Sequence, residues 1–216
     1  MKLYSYFRSS AAYRVRIALA LKQLPFETIP VHLLRDGGQQ NQPAYLAKNP
    51  MGIVPSLDTD DGLTLTQSLA IIEYLDETYP SIALLPETAA ERARVRALAL
   101  TIACDIHPIN NLRILQYLQN TLGVSADQKN EWYLHWLKQG LAAVEAMLAN
   151  DPYTATFCHG DTPGLADCCL VPQVFNAKRF KLPMEDYPTI NRIVDACEAL
   201  PAFQHAAPAQ QPDAEA

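Results

Sequence analysis

Along residues 1–80 the spacing of apolar and polar positions changes repeatedly, which predicts short strands alternating with helices. Lys2–Tyr6 reads as a strand. Ala11–Lys22 follows as a helix, and its residues Val15, Ile17, Ala18, Leu19 and Leu21 leave so few polar positions that most of its surface should be buried. Glu27–Pro30 reads as a second strand, and Asp36–Asn41 (Asp-Gly-Gly-Gln-Gln-Asn) as a turn-rich loop. Val54–Asp58 and Leu63–Thr66 read as two strands joined by a hairpin turn at Asp60-Asp61-Gly62. Gln67–Tyr79 returns to helical spacing, with Leu69, Ile72 and Leu75 on one face and Glu73, Asp76 and Glu77 outside. The order β-α-β-α-β-β-α predicts an α/β domain, a small mixed sheet with helices on both faces.

Pro80, Pro86 and the residues between them read as a linker, after which the pattern is helical only. Val95, Leu98, Ile102, Ile106 and Ile109 form a helical stripe, with Pro108 expected to kink the helix. Ser125-x-x-Gln128 matches a capping box, and the helix beyond it carries a stripe at Tyr133, Leu137, Leu141, Val144 and Leu148. Trp132 and Trp136 read as core or domain-contact residues. Two further helices are expected at about Leu165–Lys178 and Pro188–Leu200, and the Pro-, Ala- and Gln-rich tail from about Ala206 reads as disordered. The predicted division is an α/β domain over 1–80, a linker over 81–87 and an all-helical domain over 88–216.

Composition narrows the function classes. A net charge of -6 with no lysine/arginine run argues against a nucleic-acid partner. The longest apolar runs, such as Ile17–Leu21 and Leu69–Ile72, are too short to cross a bilayer, and the N-terminus shows no export signal. Cys104, Cys158, Cys168, Cys169 and Cys197 lack C-x-x-C spacing, which points to reduced thiols in a cytoplasmic protein and to no metal site.

Three places then stand out chemically. Phe7-Arg8-Ser9-Ser10 lies between the first strand and first helix, where unpaired backbone N–H groups favour an anion such as a thiolate. Ser9 or Ser10 could equally serve as a plain helix cap. Val54-Pro55 enters the third strand, where a proline suits a strand's first residue or a cis turn. The residue before it can pair its backbone with an extended peptide. Gln67-Ser68 opens the next helix and makes a good receptor for a carboxylate, or again a simple cap. The three features occurring together, in this order, are far more specific than any one.

The blocks Tyr4–Ser10, Tyr13–Leu19, Asp36–Gln40, Asn49-Pro50-Met51, Val54-Pro55 and Gln67–Leu75 closely resemble the zeta class of the glutathione transferases. That class includes maleylacetoacetate isomerase and bacterial maleylpyruvate isomerases. The resemblance continues through Asp105–Asn111, Gly160–Pro163 and Leu170–Gln173. It implies a thioredoxin-like first domain that binds glutathione, an all-helical second domain and a homodimer. By motif, Ser9 is the catalytic hydroxyl that hydrogen-bonds the glutathione sulfur, with Ser10 assisting. Val54 would pair with the cysteinyl backbone beside a cis Pro55. Gln67 and Ser68 would hold the γ-glutamyl carboxylate and Gln40 the glycyl end, with Asn111 also in the cofactor-binding set.

The implied reaction is glutathione-dependent cis–trans isomerisation of an unsaturated diketo acid, maleylacetoacetate or maleylpyruvate, in tyrosine or aromatic-acid catabolism. The dicarboxylate substrate calls for cationic partners. Arg8 is the first candidate, Arg179 and Arg113 follow, and His107 could touch substrate or simply pack. Arg14 and Arg16 read as structural. Two departures from the family pattern are Ala11, where Cys is usual, and Gly164, where Ser or Thr usually caps; Asp167 should still accept from the Gly164 N–H. Competing readings are a transferase acting on α-halo acids and a non-catalytic binding protein of the same fold.

Overall fold

Short β-branched and aromatic segments form a four-stranded mixed sheet because each can bury only one ladder's worth of backbone, and the pairing supplies the rest. The computed structural model describes residues 1–215. In chain order the elements are β1 (Lys2–Ser5), α1 (Ser10–Leu21), β2 (Glu27–Pro30), α2 (Pro43–Leu46), β3 (Ser56–Asp58), β4 (Thr64–Thr66) and α3 (Ser68–Thr78). There follow α4 (Ala89–Leu100), α5 (Leu112–Asn120), α6 (Ala126–Ala149), α7 (Leu165–Arg179), α8 (Pro188–Glu198) and α9 (Pro201–Ala206).

The strand order is β2-β1-β3-β4, with β1 parallel to β2 and antiparallel to β3, and β3 antiparallel to β4. Pro30 ends β2 on the edge of the sheet, where its missing N–H is harmless. The register puts Ser5 beside Pro30, Tyr4 beside Ser56, and Ser56 beside Thr66. The chain therefore leaves β1, enters β3 and leaves β4 at one end of the sheet. The short helix α2, with Pro43 at its first position, was not located from the sequence; four residues show no periodicity.

Among the described residues, 1–84 together with 198–215 form one compact unit and 85–197 another. This differs from the expected division at both ends. The expected linker begins inside the first unit: the buried ammonium of Lys22 donates to Asp76 (3.0 Å) and to the Ile82 carbonyl (2.5 Å), and Asp76 also accepts the Leu84 N–H. The tail expected to be disordered belongs to the same unit. Phe203 is buried in α9, and Arg16 of α1 donates to the Ala206 carbonyl at 2.9 Å. Proline and alanine are poor disorder signals when a buried guanidinium needs carbonyl acceptors.

In the second unit α7 is buried along nearly its whole length, with Cys168, Cys169, Leu170, Val171 and Val174 fully enclosed. Gly164 precedes it as the cap and, as anticipated, donates its N–H to Asp167 (2.8 Å), which also accepts the Cys158 N–H (2.9 Å). Burial nevertheless pushes the Asp167 carboxyl up. The expected helix through Pro108 instead ends α4 at Leu100 and continues as a π-helical turn, Thr101–Ile106, closed by the His107 N–H on the Ile102 carbonyl. Gly140 makes that turn possible, since a Cβ there would lie 2.4 Å from Ile106. The Ser125–Gln128 capping box is present at α6. The five cysteines are free, Cys104 exposed and the rest buried. Among the described residues no helix is long and apolar enough to cross a membrane.

Candidate active site

Ser9 is the N-cap of α1: its hydroxyl oxygen accepts the Ala12 N–H at 3.2 Å. The capping alternative is thus realised, yet it does not exclude the chemical one. A hydroxyl that accepts with a lone pair keeps its own proton free to donate. Ser10 is the first residue of α1 and is buried. Arg8 is exposed, with its guanidinium 4.8 Å from the Phe7 ring centroid, and it forms no ion pair with a described residue.

The same end of the sheet carries the next two features. The Val54–Pro55 bond is cis, immediately before β3. Because the β1–β3 register begins at Ser56, Val54 lies beyond the ladder. Tyr45 of α2 fixes this turn by hydrogen bonds to the Ile53 carbonyl (2.7 Å) and Ser56 (3.0 Å), and Asn49 adds another to Ile53 (2.7 Å). Burial pushes the Tyr45 phenol up, so it stays a neutral donor. Tyr45, Tyr6, Phe7, Val31 and Val54 pack into one apolar cluster under these loops. Tyr45 was missed because a lone tyrosine in an unlocated helix carries no spacing signal.

Gln67 occupies φ 68°, ψ 117°, in the left-handed half of the map, and its side chain makes no capping hydrogen bond to α3. The capping alternative fails for Gln67. A non-glycine residue held there stores strain of about 1–3 kcal/mol, and such residues cluster at binding sites. Ser68 follows, buried, with its hydroxyl accepting from Arg14 at 3.2 Å. That bond links the starts of α1 and α3. Arg14 and Arg16 are both buried and act structurally, as expected.

Gln40 lies beyond β2 on the loop read as turn-rich, now two short 3-10 turns. Its amide donates to the Leu33 carbonyl at 3.3 Å, while its buried carbonyl oxygen has no hydrogen-bond partner among the described residues. Gly38, at φ 94°, leaves the room: a Cβ there would lie 2.6 Å from the Gln40 amide nitrogen.

The remaining candidates belong to the second unit. Asn111 is the N-cap of α5, its side chain accepting the Arg113 N–H at 3.2 Å and lying 3.3 Å from the His107 ring nitrogen. Its amide oxygen is therefore engaged in capping. Arg113 is exposed. Arg179, at the end of α7, is exposed, sits 4.7 Å from the Phe180 ring centroid, and donates to the Tyr133 hydroxyl. Burial raises that phenol to about 12, Arg179 acting in the opposite sense. Trp132 donates to the Ile109 carbonyl and packs edge-on against Trp136, a structural use.

Comparison with known proteins gives a consistent result. The family model described as the glutathione S-transferase N-terminal domain matches residues 3–86, and that of the C-terminal domain matches residues 137–202. A probable maleylacetoacetate isomerase of Vibrio cholerae is 56% identical over 98% of this chain and 97% of its own. The holo structure of a maleylpyruvate isomerase, a bacterial glutathione S-transferase of the zeta class, is 50% identical with a TM-score of 0.96 over the full length of both chains. A maleylacetoacetate isomerase from Methylobacterium extorquens AM1, solved with bound malonate and glutathione, is 41% identical with a TM-score of 0.96, again over both full lengths.

Proposed function

Because the chain belongs to the glutathione S-transferase family, in its zeta class, we propose that it is a glutathione-dependent cis–trans isomerase of an unsaturated diketo acid. The substrate is maleylacetoacetate or maleylpyruvate, and the product its fumaryl isomer. The observation that carries this reading is the Ser9 hydroxyl at the start of α1, its oxygen held by Ala12 and its proton free. The names of the relatives support the reaction class, and the malonate and glutathione of one relative support the ligand class.

The residues present fit a glutathione tripeptide. Val54 stands two residues before the sheet ladder, where an extended cysteinyl backbone would add as a short strand. Gln67 and Ser68, at the N-terminus of α3, suit the γ-glutamyl carboxylate, and the unpartnered Gln40 oxygen suits a donor at the glycyl end. Glutathione held there would supply a nucleophilic thiolate for isomerising the conjugated double bond, with no net redox change. Ser9 would donate a hydrogen bond to the sulfur and, with the positive end of α1, favour the ionised form. Arg8, one residue earlier and unpaired with any described carboxylate, offers its planar fork to a substrate carboxylate. Arg113 and Arg179 are further carboxylate partners, and His107 a substrate contact. Asn111, the N-cap of α5, completes the cofactor-binding set. The enzyme works as a cytoplasmic homodimer.

The test follows loss of each cis substrate spectroscopically, with and without glutathione. A glutathione-dependent rate on at least one compound is expected. Absence of any such rate on both would reject the isomerase reading, and activity on α-halo acids alone would replace it with a transferase.

A further inference from the structure

The loop between β1 and α1 carries Arg8 and Ser9, and its backbone is gripped at Phe7 from both sides. The Phe7 carbonyl accepts from the Arg16 guanidinium at 3.0 Å, and the Phe7 N–H donates to Asp213 at 3.0 Å, across 206 residues of sequence. Arg16 also donates to the Ala206 carbonyl (2.9 Å) and to Ser5 (3.0 Å). Both grips on Phe7 therefore lead back to the C-terminal segment of the same compact unit.

Asp213 matters to this arrangement through both oxygens. Oδ2 takes the Phe7 N–H, while Oδ1 is buried with no hydrogen-bond partner among the described residues. The carboxylate's charge acts on Arg16, whose burial lowers its pKa to about 10 while Tyr13 and Asp213 oppose the fall. The segment is pinned once more beyond Asp213. Glu215 accepts from Arg35 at 2.6 Å and lies 3.0 Å from Nε2 of His32. His32 Nδ1 accepts the N–H groups of Leu34 and Arg35, so the ring proton sits on Nε2 and a neutral imidazole already donates to Glu215. This anchor needs no charge on the histidine.

We propose that Asp213 is a positioning residue for Ser9: by holding the Phe7 N–H it fixes the loop that aims the Ser9 hydroxyl at the glutathione sulfur. The proposal rests on the reading of Ser9 given above. Phe7 is two residues before Ser9, and the Ser9 N–H closes the turn on the Tyr6 carbonyl at 2.9 Å. A loop freed at Phe7 lets the hydroxyl wander, and a misplacement of about 1 Å can lower a rate about 100-fold.

Asp213→Ala, Asp213→Asn and Asp213→Glu separate positioning from bulk stability. Asparagine keeps an acceptor for Phe7; glutamate keeps the charge near Arg16 but displaces the acceptor. The first readout is the ultraviolet absorbance of the thiolate of enzyme-bound glutathione as a function of pH, beside kcat, KM and Tm. In Asp213→Ala and Asp213→Glu the bound thiolate at neutral pH should fall by about threefold or more, half a pKa unit. The turnover should fall with it, while KM for glutathione changes little. Asp213→Asn should restore both, even with a lowered Tm. The second readout, hydrogen exchange in the ligand-free protein, should show the Phe7 amide exchanging faster by about tenfold or more in Asp213→Glu. If Asp213→Ala does not fold, Asp213→Glu decides alone. A folded glutamate variant with wild-type thiolate ionisation and wild-type Phe7 exchange overturns the proposal. A wild-type protein that fails to bind glutathione overturns the underlying reading instead, and is seen before any variant is made.

Discussion

Ser9 accepts the Ala12 N–H with one lone pair and keeps its own proton for another acceptor, which makes its two sequence readings compatible. Replacing it tests each use separately. Ser9→Ala should lower turnover by more than about tenfold, the lower range for losing one charge-stabilising donor, while the lost cap lowers stability by about 1 kcal/mol. Turnover and thermal melting on the same preparation check both. A neutral Ser9→Ala beside a crippling Ser10→Ala would reverse the roles of the two serines. Gln67 is the other residue whose geometry speaks for function. Its left-handed backbone is costly for any side chain with a Cβ, so Gln67→Gly should melt above Gln67→Ala by the equivalent of about 1 kcal/mol. Both should bind glutathione more weakly, as titration calorimetry would show. The sequence offers Gln67 as a candidate but holds no sign of its positive φ, which the end of β4 and the start of α3 impose together.

Elements were legible wherever burial imposes a period. The bounds of β2 agree with expectation, and those of α1, α3 and α7 differ by a residue at one end or both. The π-helical turn was not legible, because the stripe Val95, Leu98, Ile102 and Ile106 is buried either way. What selects the wider turn is Pro108, which lacks an N–H, and the close approach of Gly140. At the end of the inner strand β3, Asp58 gathers Tyr4 (3.0 Å), Lys48 (2.7 Å) and Thr64 (2.7 Å). Burial alone would raise its carboxyl, but hydrogen bonds from Lys48, Thr64 and Tyr4 bring it below the ordinary value. A depressed carboxylate stabilises the fold above its unfolded pKa and loses that contribution as pH falls. Wild type should therefore melt above Asp58→Asn at neutral pH, and the gap should close below about pH 4. Thermal melts across pH 3–7 (roughly) suffice; a gap constant with pH would show that Asp58 acts without its charge.

For the whole chain, the larger surprise is that its last residues belong with its first. A chain ended at Leu200 loses Phe203, the Ala206 acceptor of Arg16 and the Asp213 charge together. Arg16 keeps Ser5 and Phe7 as acceptors, but taking one acceptor and the nearby carboxylate from a buried charge costs on the order of 3–5 kcal/mol. Such a truncation should melt far below the full chain or fail to fold, whereas a truly disordered tail could be removed without effect. Circular dichroism melts of the two chains distinguish these outcomes.

Residue identity and spacing by themselves determined the order of strands and helices over residues 1–80, the candidate hydroxyl and the amide-and-hydroxyl pair opening α3, and narrowed Pro55 to a strand's first residue or a cis turn, because each depends on neighbours within a few positions. Tertiary structure alone decided that these features share one end of the sheet, that Tyr45 braces the turn before β3, and that Asp213 reaches back to Phe7. The physical reason is range: caps, turns and periodicity are written locally, whereas a hydrogen bond across 206 residues exists only after folding has brought its partners together.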